Sequence, residues 1–356
     1  MATVTPLTPP APSAPVAPLK VAIMSFAHTH ALGYAAALRE MPGVEVRVSD
    51  PAVPDVLVPG EVRGRALADA LGVDYAETYD DLLAWGPDAV IVTSENARHR
   101  ELVELAAGAG AAILCEKPLA TSWEDGLAMR AAVEKAGVPF MMAFPVRFAG
   151  TFDRLRAAHE GGALGEVFAI RGSNNGMLPL ARSWFTEPEL SGGGALVDHV
   201  VHIADLLDAL RGVPVASVTA VANTKLHAAR ARAETAGLVT LTYADGVVAA
   251  IDCSWSQPDT SPIWGGLKLS VAGSAGTVDI DFFGPAARGL DARTGAAIVR
   301  TYGPNFDEAM LDVFLSAVRA GEQPQPDLAV GLRTLGVVLA AQESVRTGRT
   351  VEVVAP

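Results

Sequence analysis

Cysteine is nearly absent: the 356 residues include two, Cys115 and Cys253. Both sit in apolar, strand-like runs. They are expected as buried thiols rather than a disulfide framework, which points to the reducing cytoplasm. Positive charge is also scarce. Lys and Arg total 27 against 40 Asp and Glu, for a formal net charge of −13. With no basic patch, that balance argues against a nucleic-acid partner, whose phosphates demand concentrated positive charge. No uninterrupted apolar run reaches the roughly 18 residues of a membrane span, so no membrane association is expected. Residues 1–18, MATVTPLTPPAPSAPVAP, lack the apolar centre of a secretory signal and are expected to form a disordered Pro/Ala-rich arm. No internal repeat is present.

What is present is a chain long enough for two sizeable cores, half of it hydrophobic. Over residues 19–144, apolar runs alternate with amphipathic segments. Strand Lys20–Met24 precedes helix Ala31–Glu40, and strand Val44–Ser49 precedes helix Arg65–Leu71. Runs at Ala89–Thr93, Ala112–Cys115 and Pro139–Ala143 are separated by helical patterns at Arg98–Ala107 and Trp123–Ala136. This alternation predicts an α/β, Rossmann-type parallel sheet covered on both faces, with ligands at the carboxyl ends of its strands. Over residues 145–356 the pattern turns β-rich: Val167–Asn174, Val215–Val221, Gly237–Tyr243, Val247–Ser254, Leu267–Ala272 and Gly276–Phe282. Hairpin turns such as Ala244-Asp245-Gly246 separate several of them. Helices Phe152–His159, Ala195–Leu210, Phe306–Ala320 and Asp327–Thr347 complete an α+β domain with a large, mostly antiparallel, open-faced sheet.

The first strand–turn–helix unit raises a question. A dinucleotide-binding turn carries G-x-G-x-x-G, whose glycines allow positive φ and close approach to the pyrophosphate. Here Ser25, Ala27 and His30 stand at the glycine positions. Ser25, Phe26, His28, Thr29 and His30 are still the candidate cofactor contacts. The helix N-terminus offers N–H groups, and His28 or His30 adds a charge-assisted contact. Asp50 closes the second strand, where a carboxylate accepts from ribose hydroxyls and repels a 2′-phosphate, favouring NAD over NADP. Arg63 and Arg65, farther along the chain, are the residues that would revise that preference.

Two further stretches carry chemistry. Glu116-Lys117-Pro118 follows a buried strand, where a nicotinamide would sit; the competing reading is a surface Lys in a turn. In Gly192-Gly193-Gly194-Ala195-Leu196-Val197-Asp198-His199-Val200-Val201-His202, Asp198 and His202 share one helical face. A His beside a carboxylate and a Lys accepts an alcohol proton; the alternative is a core His capped by the Asp.

Together these residues resemble the Gfo/Idh/MocA oxidoreductases, the glucose-fructose oxidoreductase and inositol dehydrogenase family, over nearly the whole chain after the arm. Ser94-Glu95-Asn96-Ala97-Arg98-His99 is similar to the family's T-P-N-x-x-H turn, and Glu116-Lys117-Pro118-Leu119-Ala120 to its E-K-P-x-A signature. Arg147-Phe148 and Gly162–Val167 match its entry into the second domain, and Gly193–Leu206 its D-x-x-x-H helix. The chain departs from the family at Glu95, which replaces proline, and at the glycine-free turn, which is one residue longer. The resemblance implies that Lys117 contacts the nicotinamide ribose and the substrate hydroxyl. It implies that His202 takes the hydroxyl proton and that Asp198 orients substrate. Ser94, Asn96, His99 and Glu116 join the cofactor site by the same resemblance. Homodimers or homotetramers through the open sheet face are also implied.

The expectation is an NAD-dependent oxidoreductase that moves hydride between nicotinamide C4 and a hydroxyl-bearing carbon of a sugar, polyol or cyclitol, with no metal. Arg147, Asn174, Trp184 and His199 are candidate substrate contacts in the interdomain cleft. One alternative is a sugar sensor that has lost the cofactor. Another takes His28-Thr29-His30 as a metal pair, completed by His199 and His202, in a hydrolase; the chain lacks the eight regular βα units such a barrel needs.

Overall fold

The computed structural model describes residues 17–53 and 57–356. Apart from Ala17 and Pro18, the expected arm lies outside the described residues.

The first sheet is built from β1 (Leu19–Met24), β2 (Val44–Ser49), β3 (Asp74–Tyr75), β4 (Ala89–Val92), β5 (Ala112–Cys115) and β6 (Phe140–Met142). All pairs are parallel, in the order β3-β2-β1-β4-β5-β6. Helices α1 (His30–Glu40), α2 (Gly64–Leu71), α3 (Tyr79–Ala84), α4 (His99–Gly108) and α5 (Trp123–Ala136) make the crossovers. The four residues of β4 and of β5 are all buried, as expected for strands covered on both faces. The order reverses between β1 and β4, and that switch point opens a crevice at their carboxyl ends. β3 and α3 were not legible in the sequence. A two-residue strand and a six-residue helix carry too little periodicity, although Thr78 caps α3 by accepting from the Asp81 N–H at 3.0 Å.

The second half begins with α6 (Gly150–Glu160) and β7 (Val167–Met177), followed by α7 (Pro188–Ser191), a π-helical turn at Leu196–Val200, and α8 (Val201–Arg211). Strands β8 (Val215–Asn223), β9 (Ala236–Tyr243), β10 (Val248–Gln257), β11 (Gly265–Gly273) and β12 (Gly276–Asp281) continue it. A separate hairpin, β13 (Ala286–Leu290) with β14 (Ala297–Thr301), precedes α9 (Phe306–Ala320), α10 (Leu328–Thr347) and β15 (Val351–Glu352). The large sheet runs β12-β11-β7-β10-β9-β8-β15 and is antiparallel except between β7 and β10. One face is buried under α8 and α10. On the other, Phe168, Val221, Leu238 and Val248 are exposed.

The last two helices return to the first domain. Met310, Leu311, Phe314 and Leu315 of α9 share a core with Tyr34, Ala35 and Leu38 of α1. α10 crosses α5 so closely that a Cβ on Gly126 would lie 2.9 Å from Leu335. α10 also has the length and hydropathy of a membrane span, which a count of uninterrupted apolar residues overlooks, yet 67% of the qualifying window is buried inside the protein.

Candidate active site

A cavity of about 990 Å³ lies between the carboxyl edge of the first sheet and the second sheet. His28, Thr29, His30 and Lys117 line it from one side; Asn174, Asp198, His199 and His202 line it from the other.

The second-domain wall depends on its glycines. A Cβ on Gly194 would sit 1.9 Å from the Glu234 carbonyl oxygen, so no side chain fits there. That approach lets the Glu234 carboxylate accept from the N–H groups of Gly194 at 2.7 Å and Leu196 at 3.1 Å, anchoring the start of the π-turn. The wide turn delivers both Asp198 and His199 to the cavity, and His202 follows on α8. Lys117 Nζ donates to Asp198 Oδ1 at 2.7 Å, while Trp255 Nε1 donates to Oδ2 at 3.0 Å and His199 Nε2 lies 3.2 Å from that oxygen. Burial opposes ionisation of Asp198, but the charges of Lys117 and then His199 outweigh it and hold the carboxyl well below its usual range. Burial, and next the Lys117 charge, push the His202 pKa well below that of a free imidazole, so it is neutral at pH 7. The Nδ1 atoms of His199 and His202 are buried without a partner among the described residues.

Across the cavity, Glu116 is fully buried and accepts from Tyr34 Oη at 2.6 Å, His30 Nδ1 at 2.9 Å and the Lys117 N–H at 3.2 Å. Burial alone would protonate it; the adjacent histidines and then Lys117 keep it ionised. Burial likewise opposes charge on His30, but Glu116 outweighs it and raises its pKa above that of a free imidazole; the side chain is 34% exposed. His28, His30 and Glu116 bring three possible metal-ligand atoms within 4.8 Å of one another. The tautomer of His28 speaks against that use. Its Nδ1 accepts from the His30 N–H at 3.2 Å, so the neutral ring carries its proton on Nε2. Nε2–H is then a donor, buried, 4.0 Å from Glu116 Oε2 and without a hydrogen-bond partner among the described residues, rather than the lone pair a metal requires.

The turn keeps its shape without glycine. Ser25 takes the left-handed φ of 81° that a fingerprint glycine would adopt. Its hydroxyl donates to Asp50 Oδ1 at 3.0 Å and accepts from the Ala27 N–H at 3.0 Å, holding the strained residue locally. The first amides of α1 are already bonded: His30 N–H to His28, Ala31 N–H to the His28 carbonyl and Leu32 N–H to the Thr29 carbonyl. The amide cradle expected there is thus largely self-satisfied.

Asp50 departs from expectation. It is fully buried and accepts from Arg63 Nε at 2.8 Å and Nη2 at 2.7 Å, the Gly64 N–H at 3.0 Å and Ser25 Oγ. A carboxylate has about four lone-pair sites, so none remains for a ribose hydroxyl in this arrangement. Arg63 comes from the Pro/Gly-rich insertion, which the sequence alone gave no reason to fold back onto Asp50. Above it, Leu178–Thr186 of the second domain crosses the turn. Trp184 Nε1 donates to the Ala27 carbonyl at 2.9 Å, Trp184 and Phe185 stack at 3.9 Å, and Arg182 Nε lies 3.4 Å from Glu61.

Other candidates separate clearly. Phe26 is a core residue packed with Tyr34 and Leu38. Ser94 and Asn96 are buried, and Asn96 Nδ2 donates to the Ser191 carbonyl at 2.8 Å. His99 Nδ1 donates to the Pro118 carbonyl at 2.9 Å, tethering the Lys117 loop. Arg147 is removed from the cavity lining and pairs with Asp205, Nη2 to Oδ1 2.6 Å, while Trp184 covers the turn rather than the substrate cavity. Asn174 and His199 do line it. Sequence reasoning missed Trp255, Tyr34 and Arg182. Tyr34 had a signal, one helical turn after His30; an isolated Trp in a strand has none.

Comparison with known proteins agrees with this architecture. Residues 31–144 match the oxidoreductase family with an NAD-binding Rossmann fold, and residues 152–279 match the GFO/IDH/MocA C-terminal domain. The first match begins at Ala31, just past the unusual turn. D-apiose dehydrogenase of Paraburkholderia graminis is 29% identical over 309 residues, 82% of this chain and 80% of that protein. D-xylose 1-dehydrogenase (NADP(+)) 2 of Haloferax volcanii is also 29% identical, over 82% of this chain and 89% of its own length. The crystal structure of GenD2 from gentamicin A biosynthesis, in complex with NAD, superposes with a TM-score of 0.82 at 24% identity, covering 98% of this chain and 100% of that one. The parallel sheet with its reversed strand order, the Lys–Asp pair at its carboxyl edge and the two consecutive domain matches lead to one assignment: the chain belongs to the Gfo/Idh/MocA family of oxidoreductases.

Proposed function

We propose that Lys117, Asp198 and His202 carry out the proton chemistry of an NAD-dependent alcohol oxidation in the interdomain cavity. The chain is a dehydrogenase acting on CH–OH groups, and its relatives' substrates place its own among sugars, polyols and cyclitols. The observation that carries the site reading is the 2.7 Å Lys117–Asp198 pair beside a half-buried, neutral His202.

Asp198 holds the Lys117 ammonium in place, with Trp255 fixing the second carboxylate oxygen. Lys117 Nζ, a three-proton donor, keeps hydrogens free to bind the substrate hydroxyl oxygen and stabilise charge as it develops. His202, neutral and lining the cavity, accepts the hydroxyl proton. A bound nicotinamide supplies the hydride acceptor. Thr29, His30, Glu116 and Lys117 would hold that end of the cofactor. The His28 Nε2–H and the His30 ring, whose pKa Glu116 raises, would meet its phosphates, in place of the self-bonded α1 amides. The nicotinamide end fits the open cavity; the adenosine end fits once Arg63 and Leu178–Thr186 shift. NAD remains the proposed cofactor, although Arg63 neutralises the Asp50 charge that would repel a 2′-phosphate.

The free, buried cysteines support a reducing compartment, the cytoplasm. The exposed apolar residues of the open sheet support assembly into a homodimer or homotetramer through that face. Calorimetric titration with NAD, NADH and NADP tests the central reading. Micromolar binding of NAD or NADH is expected. Absence of any dinucleotide binding would favour the cofactor-free sensor, which draws on the closed adenosine end.

A further inference from the structure

One aromatic side chain in the cavity has no part in the proton chemistry. Trp264 lies just before β11 and is 42% exposed, an unusual state for a tryptophan inside a cleft. Its backbone is fixed, since its carbonyl accepts from the Met177 N–H at 2.7 Å. Its ring rests on bare backbone. A Cβ on Gly176 would lie 2.4 Å from Trp264 Cζ3 and 2.6 Å from Cη2, so only glycine leaves room for the indole there. Gly265 pairs with Gly176 in the β7–β11 ladder and is equally tight, its Cβ position 2.2 Å from the Asn175 carbonyl oxygen. The strands thus form a side-chain-free seat for the ring on one side, while the cavity lies on the other.

The position relates directly to the reacting groups. The Trp264 and His199 ring centroids are 5.9 Å apart, and His199 Nε2 is 3.2 Å from Asp198, which holds Lys117. A molecule lying on the indole has its edge toward the polar cluster.

We infer that Trp264, seated on Gly176, is a stacking platform for the ring of a cyclic substrate, a pyranose sugar or a cyclitol, rather than an open-chain polyol. A flat, rigid aromatic face matches the C–H-rich face of a six-membered ring, leaving that ring's hydroxyls to the polar groups around its rim. An open-chain polyol must freeze several torsions to present a comparable face. The inference rests on the dehydrogenase reading of the same cavity and narrows it. Stacking on the nicotinamide is the competing use of Trp264, but the ring belongs to the second-domain wall, opposite His30.

The test is calorimetric titration of the NADH-saturated full chain with myo-inositol, methyl α-D-glucopyranoside and sorbitol, for the wild type, Trp264→Phe and Trp264→Ala. At least one cyclic compound should bind about tenfold or more tightly than sorbitol; Trp264→Ala should weaken it about tenfold, and Trp264→Phe less. Equal binding of sorbitol, cyclic binding indifferent to Trp264→Ala, or binding of none of the three overturns the platform. So does a loss in the alanine variant confined to NADH itself. NADH formation from NAD is followed separately. Turnover with unchanged sugar affinity in Trp264→Ala removes the platform alone. Trp264-dependent sugar binding without turnover removes the dehydrogenase reading alone.

Discussion

The two ends of the crevice at the carboxyl edge of the first sheet differ in how their polar groups are used. At the adenosine end, Asp50 accepts from Arg63, Gly64 and Ser25 at once, and Trp184 closes over Ala27. At the cavity end, His28 Nε2, His199 Nδ1 and His202 Nδ1 are buried without partners among the described residues, as Ser49 Oγ, Tyr79 Oη and Glu95 Oε2 are around Asp50. Leaving a buried polar atom unpaired costs about 1–3 kcal/mol, so three in one cavity mark a place where a ligand completes the bonding. The Asp50 carboxylate holds structure; the histidine nitrogens await substrate or cofactor.

That contrast breaks most visibly at Arg63. Arg63→Met leaves the Asp50 charge buried and unpaired, which should lower stability by about 3–5 kcal/mol, read as a shift in the urea midpoint. A loss below about 1 kcal/mol would show that water or another cation replaces the guanidinium. At the cavity end the same kind of change should spare the fold. Lys117→Met should reduce kcat by roughly 10²-fold or more with a normal circular dichroism spectrum; near-normal turnover would remove the assigned mechanism. Between the two ends, Tyr34→Phe takes from Glu116 its shortest hydrogen bond and should cost about 1–3 kcal/mol in thermal unfolding.

The smallest expected effect concerns pH. His28 and His202 have folded pKa values below the 6.5 of a free imidazole, with burial the first cause of both. On acidification the unfolded chain takes up these protons first. Their contribution to stability is therefore complete above pH 6.5 and declines as pH falls toward the folded pKa values. For the same reason the acid limb of kcat/KM should lie below pH 6.5, because His202 stays able to accept a proton there. A limb above pH 6.5 would exclude His202 as the acceptor.

How much of this was legible follows from which forces set each feature. β1, β2, β4 and β5 and the longer helices announce themselves through apolar periodicity, and Lys117, Asp198 and His202 through local motifs that the fold brings together. The Arg63–Asp50 pair, the Trp184 strap and the Trp255–Asp198 bond join residues far apart in the chain, with no periodic signature at either partner. Arg147 illustrates the opposite error. It lies in a stretch similar to the family's, but the buried Asp205 claims it, an acid that burial pushes up to about pKa 6 despite that guanidinium.

The return of α9 to the first domain carries a consequence for synthesis. Tyr34 and Leu38 of α1 are covered by Met310, Leu311 and Phe314. A nascent chain that has emerged only through β6 therefore holds every strand of the parallel sheet with one greasy flank bare, and keeps it bare while the whole second domain is translated. Such a flank is where an unfinished polypeptide associates with its neighbours on a polysome or engages a holding chaperone. The ribosome must deliver Leu315 before the first domain is finished.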